Sequence, residues 1–429
     1  MHAFSREWLV EQRWFRSKGR PIATVTDADR APIGAAAAEL RVLEVAFADG
    51  GQPDLYVVLA VDGRDPEDGE GAWAALVRMI ADGAEVRAGS GRFFGSPTPA
   101  LADLLPSAHE VGPTLSERRL RVEQSNTSVV LGERLILKLF RLLEPGANPD
   151  LEVGSFLTEA GFADTPPMAG SITWRRSGGE PAAVAMLQGL VPSRGDAWTV
   201  LLELLRTDPE EATRQAAHIG RLTAAMHRAL ASHPDHPDFP ARPATVAEAA
   251  AWRASAEGQL AQAVTAVRDA EHDRLVGIAP AIRARFADTF GAATGEARVS
   301  RIHGDYHLGQ ILARTDGGYS VIDFEGEPAR PLAERRAPSS PLRDVAGLLR
   351  SLDYAARTVA RDAALDDEAW LRAGRAAFLG AYGGIGADEQ RLLDAFELEK
   401  ACYEVRYEAS NRPGWLWLPL AAVERLARS

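Results

Sequence analysis

The sequence predicts an α+β fold of two lobes, and three observations predict it. The first part carries short alternating apolar runs broken by Gly, Asp and Pro, whereas the chain beyond residue 195 repeats its apolar positions at the helical period. A short strand pair bearing polar residues, 310–313 with 319–322, interrupts the helical part. At 429 residues the chain is too long for one ordinary domain of about 100 to 200 residues. Its 46% hydrophobic and 25% charged residues describe a globular protein and exclude a largely disordered one. The balance of 48 Lys and Arg against 60 Asp and Glu gives a net charge of −12, which disfavours nucleic acid and anionic membranes as partners.

The elements follow in order. Residues 41–48 and 55–61 read as strands of β-hairpins, preceded by Trp8, Trp14 and Phe15 among basic residues. That cluster fits either the packing of a small β domain or base stacking, and the absence of a wider positive field favours packing. Runs at 120–124, 128–131 and 135–140 form a meander, and a helix is expected over 151–160 with Asp150 as its cap. Helices are expected over 198–205, 212–230, 246–267, 342–359 and 389–409. Cys402 is the single cysteine, so no intrachain disulfide and no thiolate zinc site can form, which suits a reducing compartment. No apolar run reaches the roughly 18 residues that would span a bilayer, and the first residues lack a secretion signal's apolar stretch; a cytoplasmic location is expected.

The chemistry concentrates in His303-Gly304-Asp305-Tyr306-His307-Leu308-Gly309-Gln310 and, past a strand, Asp323-Phe324-Glu325-Gly326. Phosphoryl transfer needs a base for the attacking hydroxyl and oxygen ligands for a metal on the nucleotide phosphates. Asp305 suits the first task, and Gln310 with Asp323 suits the second. Zinc on His303 and His307 is the weaker alternative, because flanking glycines favour a loop over a helix; bracing of that loop is another. Lys138 sits in the apolar strand 135–140 with apolar residues on both faces, so an acidic partner is expected, with Glu152 preferred to Glu159. The polar turn Gln124-Ser125-Asn126-Thr127-Ser128 offers backbone N–H groups and hydroxyls to phosphate oxygens, although it contains no glycine. Neither a P-loop nor a dinucleotide fingerprint is present in the sequence. Near the C-terminus Tyr403-Glu404 and Tyr407-Glu408 recur four apart, and Arg412 and Trp415 follow; together they suit a sugar, unless they are only an amphipathic helix at a buried boundary.

These residues, with Gln12 to Phe15, Leu137 to Arg141, Asp323 to Arg336 and Pro341 to Gly347, resemble the actinobacterial maltokinases of the aminoglycoside-phosphotransferase-like kinase superfamily. The resemblance implies a bilobal, eukaryotic-protein-kinase-like fold with a cap at 1–90, an intermediate nucleotide-binding subdomain at 91–190 and a helical C-lobe at 191–429. It further implies transfer from ATP, with Mg2+, to the anomeric hydroxyl of maltose, giving maltose 1-phosphate, and an association with trehalose synthase in some relatives. By that resemblance Asp305 is the base, Gln310 and Asp323 hold magnesium, Lys138 holds phosphate, and Leu187 and Gln188 lie in the hinge that meets adenine. His303 and the Tyr403, Glu404, Tyr407, Glu408, Arg412 and Trp415 group are placed on the sugar side. Related kinases of this pattern act on other sugars, glucosamine or aminoglycosides.

Overall fold

The computed structural model describes residues 4–428 except 35–37, 106–114, 121–124, 294, 296, 329 and 364. The chain forms two compact units, Met1–Glu159 with Thr165–Pro192, and Ala160–Asp164 with Ser193–Ser429. Among the described residues no helix is long and apolar enough to cross a membrane.

The first unit opens with α1 (Arg6–Glu11), whose first turn is capped by the Ser5 hydroxyl accepting from Trp8 N–H at 3.3 Å. Strands β1 (Ile22–Ile33), β2 (Ala38–Phe47) and β3 (Asp54–Val61) make an antiparallel sheet in that order. Trp14 and Phe15 pack against Tyr56 on one side of it, so the N-terminal aromatics do form the core of a β layer. Helix α2 (Ala72–Ala81) covers the other side and buries Trp73 completely.

A seven-stranded sheet follows, built from β4 (Glu85–Arg87), β5 (Gly91–Pro97), β6 (Glu117–Leu120), β7 (Asn126–Leu131), β8 (Leu135–Phe140), β9 (Met168–Arg176) and β10 (Ala182–Gly189). Its spatial order is β4-β5-β9-β10-β8-β7-β6, with α3 (Ala100–Leu104) and α4 (Pro149–Glu159) inserted in the chain. Alternation along β8 works as the period of two requires: Leu135, Leu137 and Leu139 enter the core shared with Trp73, while Phe140 packs with Met168 and Met186 on the opposite face. Each such leucine contributes about 1.5–3 kcal/mol by leaving water. Asn126 to Ser128 belong to β7, whereas the sequence reading placed them in a turn; pairing of Asn126 with Phe140 and of Ser128 with Lys138 extends the ladder.

In the second unit β11 (Ser193–Asp196) leads into α5 (Ala197–Thr207), where the Asp196 carboxylate accepts from Thr199 N–H at 2.8 Å. Then come α6 (Pro209–Leu230), β12 (Arg242–Pro243), α7 (Val246–Ala266), α8 (Asp269–Ala292) and β13 (Arg298–Val299). Thr245 and Glu248 close a capping box at the start of α7. The expected strand pair is present as β14 (Ile311–Arg314) and β15 (Tyr319–Val321), with β11 alongside β14. The remainder is helical: α9 (Leu332–Arg336), α10 (Leu342–Ala360), α11 (Asp367–Tyr382), α12 (Ala387–Asn411) and α13 (Trp417–Arg428). Helix α12 lies at the centre of this layer, packed on α7, α10 and α13.

Candidate active site

The loop from His303 to Gln310 is held by its backbone. Asp344, in the first turn of α10, is 2% exposed and accepts from His303 N–H at 2.8 Å and Gly304 N–H at 2.9 Å. His227 of α6 lies 3.1 Å from the same carboxylate through Nε2, and its Nδ1 is 3.0 Å from the Tyr382 hydroxyl on α11. Burial alone would lift the Asp344 carboxyl; the bond and charge of His227, with His303 and the Gly304 N–H, outweigh it and hold the group below its ordinary range. Helix α10 must also come close to the loop. A Cβ on Gly347 would stand 2.6 Å from the Tyr306 carbonyl oxygen, so only glycine fits there.

His303 is 1% exposed and turned into the loop. Its Nε2 donates to the Ile322 carbonyl at 3.0 Å, its Nδ1 accepts from Asp305 N–H at 3.3 Å, and its ring packs 4.9 Å from that of Phe324. It braces the loop, which corrects its expected place on the sugar side. His307 likewise accepts the Gly309 N–H at 3.0 Å, and burial keeps its imidazole below the usual range and neutral at pH 7.

With the loop so fixed, Asp305 projects into a cavity of about 750 Å³ with its side chain 24% exposed. Trp252, Ser255 and Gln259 of α7 form one wall, Glu327 and Arg330 another, and Glu399, Lys400 and Tyr403 of α12 a third. The carboxylates of that lining are mostly held by cations: Arg330 donates to Glu327 at 2.8 Å, and Arg343 stands 3.0 Å from Glu399, which also accepts from Ser255 at 2.6 Å. The Lys400 ammonium lies 3.6 Å from Asp305 Oδ1 and 4.5 Å from the centre of the Tyr403 ring.

Gln310 and Asp323 meet as expected, at the start of β14 and just past β15. The Gln310 amide donates to Asp323 Oδ2 at 3.1 Å, and the Gln310 carbonyl accepts from Ile322 N–H at 3.0 Å. Asp323 has φ +66°, a left-handed conformation that turns its carboxylate at some conformational cost, on the order of 1 kcal/mol.

In the first unit Lys138 is 8% exposed and pairs with Asp150 at 2.8 Å. Asp150 is thus a carboxylate partner of this lysine; Glu152, the expected partner, lies on the same helix, half-buried. Asp150 is fully buried and inside the helix, and Asn148 takes the expected capping position, its side chain accepting from Leu151 N–H at 3.1 Å. Of the polar turn, Gln124 lies outside the described residues. Asn126, Thr127 and Ser128 are buried strand residues, and the Thr127 hydroxyl accepts from Arg141 at 2.9 Å, so it is occupied within the protein. Asn126 donates to the Ser125 hydroxyl at 3.3 Å. The side chain of Leu187 is fully buried in the core of the sheet and its backbone pairs with Leu137 and Gly170, while Gln188 lies on the other face of β10 beside Gly154.

The C-terminal group divides. Consecutive helical residues are about 100° apart, so Tyr403 and Tyr407, ring centres 6.3 Å apart, form one stripe and the glutamates another. Glu404 accepts from Arg350 of α10 at 2.8 and 2.9 Å, and Glu408 accepts from Arg412 at 2.6 Å and from the Tyr354 hydroxyl at 3.2 Å. Of the six residues assigned to a sugar face, Tyr403 alone lines the cavity. Tyr407 is 43% exposed elsewhere, and Arg412 lies over Trp415 at 5.5 Å. Sequence reasoning passed over Lys400, Trp252 and Ser255, which look like ordinary helix residues, and assigned no task to Asp344, although it stands in the run 341–347 noted above.

Comparison with known proteins matches residues 116–378 to the phosphotransferase enzyme family and residues 8–85 to the maltokinase N-terminal cap domain. A glucosamine kinase of Streptacidiphilus jiangxiensis is 33% identical over 75% of this chain and 76% of its own length. Another glucosamine kinase, from Mycolicibacterium smegmatis, is 29% identical over 72% of this chain and 79% of its own. Among solved structures, a glucosamine kinase in complex with glucosamine, ADP and inorganic phosphate superimposes with a TM-score of 0.75 at 27% identity, covering 99% of this chain and 98% of that one.

Proposed function

Since the chain belongs to the phosphotransferase enzyme family and has its kinase-like fold, we propose that it transfers the γ-phosphoryl group of ATP to a hydroxyl of a small sugar. The observation that carries this reading is Asp305, fixed through its loop backbone by Asp344 and presented to a cavity of sugar size. Asp305 would take the proton of the acceptor hydroxyl, and the buried clamp on His303 and Gly304 keeps it in place. Lys138, held by Asp150 at 2.8 Å, would hold nucleotide phosphate. The amide of Gln310 and the carboxylate of Asp323 converge within hydrogen-bond distance and form a donor set that suits a hard cation. Magnesium bound there would supply neutralisation of the phosphate charge.

Glucosamine is the leading acceptor, because the relatives similar over more than 70% of the chain carry that activity in their names. A second reading, maltose at its anomeric hydroxyl, is favoured by the matched maltokinase cap and by a cavity of about 750 Å³ that admits a disaccharide. ADP release measured with ATP, Mg2+ and, in turn, glucosamine, maltose, glucose and kanamycin separates them. Turnover with maltose and none with glucosamine would reverse the order, and turnover with neither would remove both. Asp305→Asn is expected to lower kcat by about 10³-fold with nucleotide affinity retained; an active variant takes the proton-accepting task away from Asp305.

A further inference from the structure

The reaction proposed above leaves one charged group at the base without a task. Lys400, on α12, faces the same cavity as Asp305 with its side chain 29% exposed, and its ammonium is 3.6 Å from Asp305 Oδ1. That separation is an ion pair too long for a hydrogen bond, so the carboxylate does not use up the three N–H donors of the ammonium. Among the described residues Nζ makes no hydrogen bond; its other neighbour is the face of the Tyr403 ring at 4.5 Å. A closed ion pair on the same helix looks different. Arg350 and Glu404 meet through two bonds of 2.8 and 2.9 Å, with the arginine side chain 1% exposed.

The loop itself brings no cation to the base, since His307, two residues beyond Asp305, is half-buried and held below its ordinary range by desolvation. Burial would pull the Lys400 ammonium down, but Asp305 and Glu327 outweigh that and keep it charged. A cation held beside the proton acceptor, with donors directed into the acceptor cavity, is what a transfer to a sugar oxygen needs as charge spreads over the moving phosphoryl group.

We propose that Lys400 is a catalytic residue that donates a hydrogen bond to the acceptor oxygen or to the phosphoryl group it receives. This rests on the reading of Asp305 as the proton acceptor. The acceptor hydroxyl passes its proton to Asp305 while its oxygen bonds to the γ-phosphorus. The bond from that phosphorus to the β–γ bridging oxygen breaks, and ADP leaves with the electron pair. Lys400 gives up no proton and remains a cation throughout.

The test compares wild type, Lys400→Met and Lys400→Arg as full-length proteins, using whichever of glucosamine or maltose is turned over. Lys400→Met is expected to lower kcat by about 100-fold with KM for ATP and melting temperature little changed. Lys400→Arg should recover about tenfold of that loss. A kcat for Lys400→Met within about threefold of wild type overturns the proposal, and so does equal loss in both variants together with a lowered melting temperature, the mark of a merely structural lysine. If neither sugar is phosphorylated, the acceptor reading has failed by itself, and the three proteins are compared in ATP hydrolysis with water as acceptor. The same ordering of rates supports Lys400, and equal rates overturn it.

Discussion

Helix α12 presents acidic, basic and aromatic residues to two neighbours and uses them in opposite ways. Toward α10 and α11 it sets the buried Glu397 and Glu408 and the half-buried Glu404, each bonded to an arginine: Arg375, Arg412 and Arg350. Toward the cavity it sets Glu399, Lys400 and Tyr403, where Lys400 meets Asp305 at a distance that leaves donors over. Closed, short, desolvated pairs hold helices in register, and a loosely held charge that lines a cavity is available to a ligand. The difference between the two faces lies in Lys400, since Glu399 on the cavity side is buried and paired like the glutamates of the other face.

The largest effect should come from breaking the closed face. Arg350→Met leaves Glu404 and Asp353 without their shared cation, and burial already lifts Glu404 above the usual carboxylate range. A loss of about 3–5 kcal/mol is expected by denaturant unfolding, with turnover per folded molecule nearly unchanged. A large fall in turnover with normal stability would mean that the two faces are not separate.

Asp344 tests the boundary between them, because it is buried and yet holds the backbone of the loop that carries Asp305. Asp344→Asn should lose about 1.5–3 kcal/mol at pH 7 and lower kcat as well. Because this carboxyl is depressed in the folded protein, its contribution is complete above the unfolded value of about 3.9 and disappears as pH falls through the lower folded value. Wild type should therefore lose stability below about pH 4 more steeply than Asp344→Asn, as read by melting temperature across that window; parallel profiles would remove Asp344 from this role.

Smallest are the two tyrosines, one turn apart. Tyr403→Ala should raise the acceptor KM by about tenfold, the loss of one aromatic contact. Tyr407→Ala, outside the cavity, should leave KM unchanged and shift stability by under about 0.5 kcal/mol. Equal effects on KM would return Tyr407 to the sugar side.

The meeting of Gln310 and Asp323 was legible in the sequence for a physical reason: they stand at the two ends of one short hairpin, so their spacing along the chain fixes their proximity, and the 3.1 Å bond between them follows. The Tyr/Glu run was misread because a four-residue repeat says which residues share a stripe but not which neighbour that stripe meets. Only packing shows that Glu404 and Glu408 turn to Arg350, Arg412 and Tyr354. Lys138 was rightly expected to need a carboxylate, yet Asp150 and Glu152 share the start of one helix, and which of the two would sit on Lys138 depends on how that helix docks. Lys400 could not be found from spacing at all, since 95 residues separate it from Asp305. The long helices were recovered because their period follows from burial on one face, as in α6, and β8 because its short apolar run is buried on both faces.

The seven-stranded sheet has a consequence for how this architecture could have arisen. The region resembling the maltokinase cap ends at residue 85, where β4 begins, and β5 then pairs along the whole of β9 from Gly91 with Arg176 to Pro97 with Gly170. Trp73 of α2 and Leu137 beside Lys138 share one core. Losing the leading segment through β5 would bare the edge of β9 as a template for pairing with another chain and would strip one side of the sheet that carries Lys138. The cap is thus not a detachable accessory: a lineage that keeps this seven-stranded sheet must inherit the first hundred residues with it, and shuffling at that boundary would be selected against by aggregation before any effect on activity was felt.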